Sequence, residues 1–361
     1  MKLSEINNII KGDLKRDVSF KKIKINSKEI ENGDVFLAIN KGHNYINEAI
    51  NNGAVAIISE QELNIPSIKV ENSIIALGQI GHYMRNLYNT PLIAITGSVG
   101  KTTTKELIYG VLSKKYKVLK SNKNQNNHIG LPLTLLNLDD TYEVIVLELG
   151  MNHFNEISYL SNICNPNYAV ITNIGTAHIG NLGNKKNILT AKLEILDGMI
   201  EKNLIVNKND PYLRKIKNCI KTNKKELKIK NLKYGLFQEF DIEDIHFKFY
   251  SSKHLLDDVY IAIKVGLLFN VDLKLISEAI SEYNSTDGRL NITNNKYTII
   301  DDCYNSSYES LIGGLKMLKK YKEKKFIVLG DMLELGKYSI KYHKKINRYL
   351  KKIKNKDVLL I

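Results

Sequence analysis

Six consecutive residues, Gly97-Ser98-Val99-Gly100-Lys101-Thr102, combine two glycines, a lysine and a hydroxyl. The apolar run Leu92-Ile93-Ala94-Ile95 precedes them, and residues 101–112 carry a helical pattern. A phosphate-binding loop needs that context. Glycines let the backbone curl so that its N–H groups face a polyphosphate, and the helix N-terminus adds positive potential. Lys101 then reaches the terminal phosphates, and the Thr102 hydroxyl suits Mg²⁺. The loop is shorter than the eight-residue GxxxxGK[ST] form. Its bland alternative is a tight turn joining strand to helix.

Three more residues could act at the same place. Glu148 closes the apolar run Val144-Ile145-Val146-Leu147, and ligands of open α/β sheets sit at the C-terminal ends of strands. A carboxylate there can complete a magnesium shell, although alone it could equally cap a helix. His178 follows another strand end in Thr172-Asn173-Ile174-Gly175-Thr176-Ala177-His178. Lys192 lies fourteen residues further on, within Ala191-Lys192-Leu193-Glu194-Ile195. If it faces inward, desolvation lowers its pKa and exposes a neutral amine. The ordinary alternatives are a structural histidine and a solvated helix lysine.

These residues need a scaffold. Apolar strands at 92–96, 144–149, 168–172 and 204–207, separated by helical stretches such as 101–112 and 186–199, indicate a doubly wound parallel α/β sheet. Short strands at 23–25, 35–39 and 54–58, broken by turns such as Asn32-Gly33-Asp34, suggest a smaller α/β unit first. After Arg289 come strands at 297–301 and 326–329 and a last apolar run at 358–361. Three domains are expected, at 1–88, 89–289 and 290–361.

The chain has 361 residues and a formal charge of +15. Such a charge could attract nucleic acid or an anionic membrane. The excess is scattered lysine; the arginines are Arg16, Arg85, Arg214, Arg289 and Arg348. A solvated lysine surface is therefore expected, with no nucleic-acid partner. No secretory signal and no apolar run near the roughly 18 residues of a membrane span is found, so a cytoplasmic protein without membrane insertion is expected. Cys164, Cys219 and Cys303 are an odd number at wide spacing, which indicates neither a disulfide framework nor a zinc site.

The segments 96–106, 126–134, 147–152, 173–178 and 191–195 occur in the order seen in Mur ligases, and the chain is similar to that family over nearly its whole length. Asp287-Gly288-Arg289, Asp301-Asp302-Cys303-Tyr304-Asn305 and Gly330-Asp331-Met332-Leu333-Glu334-Leu335-Gly336 resemble the branch that adds D-alanyl-D-alanine. Folylpolyglutamate synthases share the loop but not these last segments. The resemblance implies three domains: a small N-terminal one binding the UDP part of the substrate, a central phosphate-loop sheet, and a Rossmann-like C-terminal domain. It implies an ATP-dependent amide ligase, acting as a monomer on UDP-N-acetylmuramoyl-tripeptide and D-alanyl-D-alanine.

The same resemblance assigns the nucleotide to Gly97, Ser98, Val99, Gly100, Lys101, Thr102 and Thr103, with Arg289, Asn305 and Asp331 contributing across the domain boundary. Thr102 and Glu148 would hold one Mg²⁺, and His178 a second that Lys192 stabilises as a carbamate. Ser27, Lys28, Gly42 and His43 align with the segments that hold UDP. Val99 stands where the family usually has Asn, Lys28 where it has Arg, and Ser306-Ser307-Tyr308 where it has Ala-Asn-Pro. Relatives continue beyond residue 361, so an incomplete third domain with impaired dipeptide use is expected. The alternatives are another Mur-type or polyglutamate-type amide ligase, or an inactive relative.

Overall fold

The computed structural model describes residues 1–235, 237–250, 255–285, 288–294 and 296–361. Asp287 of the Asp-Gly-Arg segment lies outside the described residues. The N-terminal unit comprises α1 (Leu3–Ile10), β1 (Asp13–Leu14), β2 (Ile23–Lys24), β3 (Val35–Leu37), α2 (Ile46–Asn51), β4 (Ala56–Ser59), β5 (Ser67–Lys69) and α3 (Ser73–Leu87). Its sheet has the order β1-β5-β4-β3-β2, parallel except where β1 meets β5. α3 starts where the Asn72 side chain accepts the backbone N–H groups of Ile74 and Ile75, two of the donors that a helix start leaves free.

The central layer runs β6 (Leu92–Thr96), α4 (Lys101–Ser113), β7 (Val118–Lys120), α5 (Gly130–Leu135), β8 (Val144–Glu148), α6 (Glu156–Cys164), β9 (Tyr168–Ile171), α7 (Ile179–Leu182), α8 (Lys185–Leu193), β10 (Asn203–Asn207) and β11 (Ile220–Thr222). All six strands are parallel, in the order β11-β10-β9-β6-β8-β7. β6 thus sits between β8 and β9, with Ile95 level with Glu148 and Thr96 level with Ile171. That register brings the glycine loop, Glu148 and the segment before His178 to one edge.

β6 is buried on both faces, so an unbroken apolar run suits it better than alternation. Leu92 and Ala94 face a core shared with α5, α6 and α8, while Ile93 and Ile95 face one shared with α4. Leu92, Ile93 and Ile95, fully buried, each stabilise the fold by about 1.5–3 kcal/mol. The second core also includes an antiparallel meander, β12 (Lys230–Tyr234), β13 (Phe237–Ile242) and β14 (Ile245–Tyr250), and the helices α9 (Leu256–Leu268) and α10 (Leu273–Ser281). Phe240 stacks on Phe247 there, ring centroids 5.0 Å apart.

The C-terminal unit holds β15 (Asn291–Asn294), β16 (Thr298–Asp301), α11 (Tyr308–Leu318), β17 (Lys325–Leu329), α12 (Ser339–Leu350) and β18 (Lys356–Leu360). β15 pairs antiparallel with β16, and β17 parallel with β18. Among the described residues these remain two separate pairs rather than one doubly wound layer. Ile312, Leu315, Met332 and Leu335 of this unit join the central core.

One expected helix is shorter than its periodicity suggests. Residues 186–199 form α8 only to Leu193, followed by a 3₁₀ turn at Glu194–Leu196. The Glu194 carboxylate is taken up in accepting the N–H groups of Asn155 (2.9 Å) and Ser158 (3.3 Å) at the start of α6. Gly198 then passes so close to α6 that a Cβ would stand 2.1 Å from the Ser161 carbonyl oxygen. Among the described residues no helix is long and apolar enough to cross a membrane.

Candidate active site

A cavity of about 1260 Å³ opens at the C-terminal edge of the central sheet, and Lys101, Glu148, His178, Arg289, Asn305 and Glu334 are on its wall. Its floor is the turn from β6 into α4. Gly97 has no room for a side chain, since a Cβ would lie 1.8 Å from Thr172 Oγ1. Gly100 adopts φ +85°, the left-handed region that favours glycine, and a Cβ there would meet the Asp258 carboxylate at 2.7 Å. Asn173 holds the turn from β9: its side chain accepts from the Val99 N–H at 3.0 Å and donates to the Val99 carbonyl at 2.8 Å. Thr172 adds a hydroxyl bond to the same carbonyl at 2.6 Å. The Ser98 hydroxyl is buried and without a partner. A glycine-lined cradle with an orphaned donor fits a polyphosphate.

Lys101 bonds the Gly97 carbonyl at 3.1 Å. Burial lowers its pKa; Glu148 opposes this, and Arg289 adds to it. Thr102 donates to Glu148 Oε2 at 2.6 Å, and Asn126 donates to Oε1 at 2.8 Å. Glu148 is buried and, among the described residues, makes no ion pair. A desolvated carboxylate beside a hydroxyl is a hard oxygen donor set, which fits Mg²⁺.

His178 precedes α7 with φ +62°, and its Nδ1 is 2.8 Å from Glu334 Oε2 of the C-terminal unit. This contact holds the Glu334 carboxyl below its ordinary range. Lys192 is 1% exposed, and burial, reinforced by nearby Lys101, pushes its pKa well down. Lys192 does not line the cavity itself; burial disfavours its ammonium form, and the amine is the form to which CO₂ adds. Arg289 lies over the Tyr304 ring, 4.3 Å from its centroid, and Asn305 is exposed at the cavity wall. Asp331 is not on that wall; it is exposed and lies 3.4 Å from His343 Nε2.

The four N-terminal candidates gather elsewhere, on the 3₁₀ turns Ser27–Glu29 and Asn40–Tyr45 that pack on α2. Ser27 donates to Glu48 at 2.6 Å, Lys28 is exposed, and His43 Nδ1 lies 2.8 Å from the Asn40 carbonyl. A Cβ on Gly42 would meet only Phe36, at 3.8 Å. None of the four lines the main cavity.

Sequence reasoning did not single out Glu334, Glu309, Asn126 or Asp258, all of which line it. Asn126 and Glu334 stand inside segments that carry the family resemblance. Glu309 and Asp258 carried no signal, because they reach the site only through the packing of α11 and α9.

The Mur ligase middle domain model matches residues 95–275, and the Mur ligase glutamate ligase domain model matches residues 288–361. The chain belongs to the Mur ligase family. It is 32% identical over 349 residues to the UDP-N-acetylmuramoyl-tripeptide--D-alanyl-D-alanine ligase of Bacillus subtilis, covering 88% of this chain and 75% of that protein. A crystal structure of MurF from Acinetobacter baumannii superposes with TM-score 0.87 at 27% identity, over 98% of this chain and 88% of that one. The MurF ligase of Thermotoga maritima, solved in complex with ADP, gives TM-score 0.81 at 30% identity, over 94% and 88%.

Proposed function

We propose that this protein is the ATP-dependent ligase that joins D-alanyl-D-alanine to UDP-N-acetylmuramoyl-tripeptide in peptidoglycan synthesis. The observation that carries the proposal is the contact of Glu334, from the segment Gly330 to Gly336, with His178 on the wall of the cavity that the phosphate loop also lines. The names of the Bacillus, Acinetobacter and Thermotoga relatives support it. In this reading the enzyme is a cytoplasmic monomer built of domains 1–88, 89–289 and 290–361, and nucleic acid is not a partner.

Residues 97–103 receive the ATP phosphates on backbone N–H groups at the start of α4. Lys101 turns from the Gly97 carbonyl to the terminal phosphate. Arg289 and Asn305 contact the nucleotide from across the cavity, whereas Asp331, off the cavity wall and facing His343, takes no part in this arrangement. Ser27, Lys28, Gly42 and His43 hold the UDP part of the other substrate. Thr102 and Glu148 would hold one Mg²⁺, and His178 with Lys192 as a carbamate a second; bound there, magnesium neutralises charge on the phosphate oxygens.

The tripeptide's terminal carboxylate oxygen attacks the γ-phosphorus, the bond to ADP breaks, and an acyl phosphate forms. The free amine of D-alanyl-D-alanine then adds to the acyl carbon, and phosphate leaves with its bonding electrons as the amide forms. Lys101 offsets the charge that develops on the phosphoryl group. The C-terminal unit, closed on His178 through Glu334, excludes water from the acyl phosphate.

Phosphate release should be assayed against a panel of UDP-muramoyl peptides, with single amino acids, glutamate and D-alanyl-D-alanine as acceptors. Turnover that requires the tripeptide and the dipeptide together is the expected result. Preference for a single amino acid or glutamate would overturn the assignment. Lys101→Ala should lose ATP turnover and keep its melting temperature, since this lysine contributes charge rather than core volume.

A further inference from the structure

The C-terminal unit grips the loop after β9 at a second point. Glu309, in the first turn of α11, accepts from the Thr176 backbone N–H at 3.0 Å and the Thr176 hydroxyl at 2.7 Å through Oε2. Its Oε1 takes Lys185 Nζ at 3.1 Å. Thr176 is buried two residues before His178, and Lys185 opens α8, the helix that carries Lys192. Gly175 is pinched in the same stack: a Cβ there would lie 3.0 Å from both Glu309 Oε2 and Ser98 Cβ. One carboxylate from the third unit therefore meets the His178 loop and the start of the Lys192 helix, against the phosphate loop.

An ion pair this open to water contributes little by itself. The two bonds to Thr176 are different in kind, because they fix a buried residue of the site loop from an element outside the central layer. Glu334 holds the far end of the same segment at His178. Beyond His178 the C-terminal unit also takes the Gly180 N–H on the Glu334 carbonyl at 2.9 Å and gives the Tyr338 hydroxyl to the Gly183 carbonyl at 2.7 Å, so Glu309 is the contact that fixes the β9 side of the loop while these fix the other.

We propose that Glu309 is a positioning residue, whose carboxylate locks the Thr176–His178 segment and the start of α8 in their working arrangement when the C-terminal unit closes. This rests on the ligase reading above. Positioning of this kind acts on turnover rather than on nucleotide affinity, since the phosphate loop belongs wholly to the central layer.

The test uses the full chain carrying Glu309→Ala, Glu309→Gln, Thr176→Val and Glu309→Ala with Thr176→Val, each checked for wild-type melting. Glu309→Ala should lower kcat about 10- to 100-fold, with nucleotide Kd changed less than about three-fold. Glu309→Gln should fall between it and wild type, because its amide oxygen in the place of Oε2 still accepts from Thr176 while its NH₂ group cannot accept from Lys185. The double variant should be no worse than Glu309→Ala, since both changes break one linkage. Wild-type kcat in Glu309→Ala, or losses that multiply in the double variant, would overturn the proposal. Small-angle scattering with a nonhydrolysable ATP analogue reads the lock without turnover: a larger radius of gyration for Glu309→Ala than for wild type supports it, and identical radii overturn it. A wild-type chain that fails to use the dipeptide would refute the ligase reading, and scattering would still decide the role of Glu309.

Discussion

Thr102 and Glu148 are joined by a 2.6 Å hydrogen bond from the first turn of α4 to the end of β8. The bond crosses neighbouring strands, because Ile95 of β6 is level with Glu148. Both groups are buried, so the carboxylate is shielded from solvent and held by Thr102 and Asn126. Glu148→Gln preserves volume and removes the charge; its amide oxygen still accepts from Asn126, and its NH₂ group donates to the Thr102 hydroxyl in place of accepting from it. It should lower kcat by about 10²- to 10³-fold and raise the magnesium concentration needed for half-maximal rate. Magnesium titration of phosphate release, with melting as the control for folding, checks this; an unaltered magnesium requirement would count against the metal role.

Lys192 supplies the second prediction. Its desolvated amine should react with CO₂, forming an N–C bond and losing a proton to give a carbamate. Wild-type protein in ¹³C-bicarbonate should show a carbamyl carbon resonance that Lys192→Ala lacks. The variant should be inactive and partly restored by a short carboxylic acid that fills the vacated space. Full activity of Lys192→Ala without additive would refute the role.

What could be read from residue types was chemistry carried by short contiguous segments. The phosphate loop declares itself because its glycines, lysine and threonine follow a buried strand directly, and Glu148 because it ends one. The hairpin β13–β14 was also readable and was missed: Phe240 and Ile242 alternate with polar residues, and Ile242 pairs with Ile245 around the turn at Glu243 and Asp244. Glu309 and Glu334 were not legible in this way. Their partners Thr176 and His178 are more than a hundred residues away, and only the docking of the C-terminal unit on the central layer brings them together.

A pH effect on stability follows from Asp302. Burial, partly opposed by the N–H of Leu290 and by Arg289, pushes its pKa from 3.8 up to about 6. Between about pH 4 and pH 6 the folded protein therefore keeps a proton that the unfolded chain has lost. Stability from this group falls as pH rises through that window and is level above it. Asp302→Asn keeps an acceptor for Leu290 and has no charge to desolvate. It should be more stable than wild type by about 1–2 kcal/mol at pH 7 and indistinguishable near pH 4. Denaturant melts at the two pH values measure the difference, and an equal gain at both would show that the carboxyl does not titrate this way.

The last prediction concerns how the N-terminal unit is held. Arg85 of α3 is buried, and its guanidinium donates to the carbonyls of Cys164 (2.9 Å) and Tyr88 (3.0 Å) and to Asn167 Oδ1 (3.1 Å). Asn167 Oδ1 also accepts the N–H of Leu92, so this one side chain ties the N-terminal unit to the first strand of the central sheet. Close packing allows no adjustment nearby: a Cβ on Gly81 would stand 2.8 Å from Pro132. Arg85→Ala removes the side-chain donor from the Cys164 and Tyr88 carbonyls and leaves Asn167 Oδ1 with only the Leu92 N–H; it should destabilise the protein by about 2–4 kcal/mol. Arg85→Lys should recover only part of this, because a single ammonium cannot span the three directions of the guanidinium fork. Where the variant still folds, the turns at Ser27–Glu29 and Asn40–Tyr45 lose their fixed position relative to the cavity, while the phosphate loop keeps its own supports. KM for the UDP-linked substrate should therefore rise with KM for ATP nearly unchanged. Thermal melts and the two KM values provide the measurement; a wild-type melting temperature in Arg85→Ala, or a matching rise in both KM values, would show that the N-terminal unit is held by other contacts.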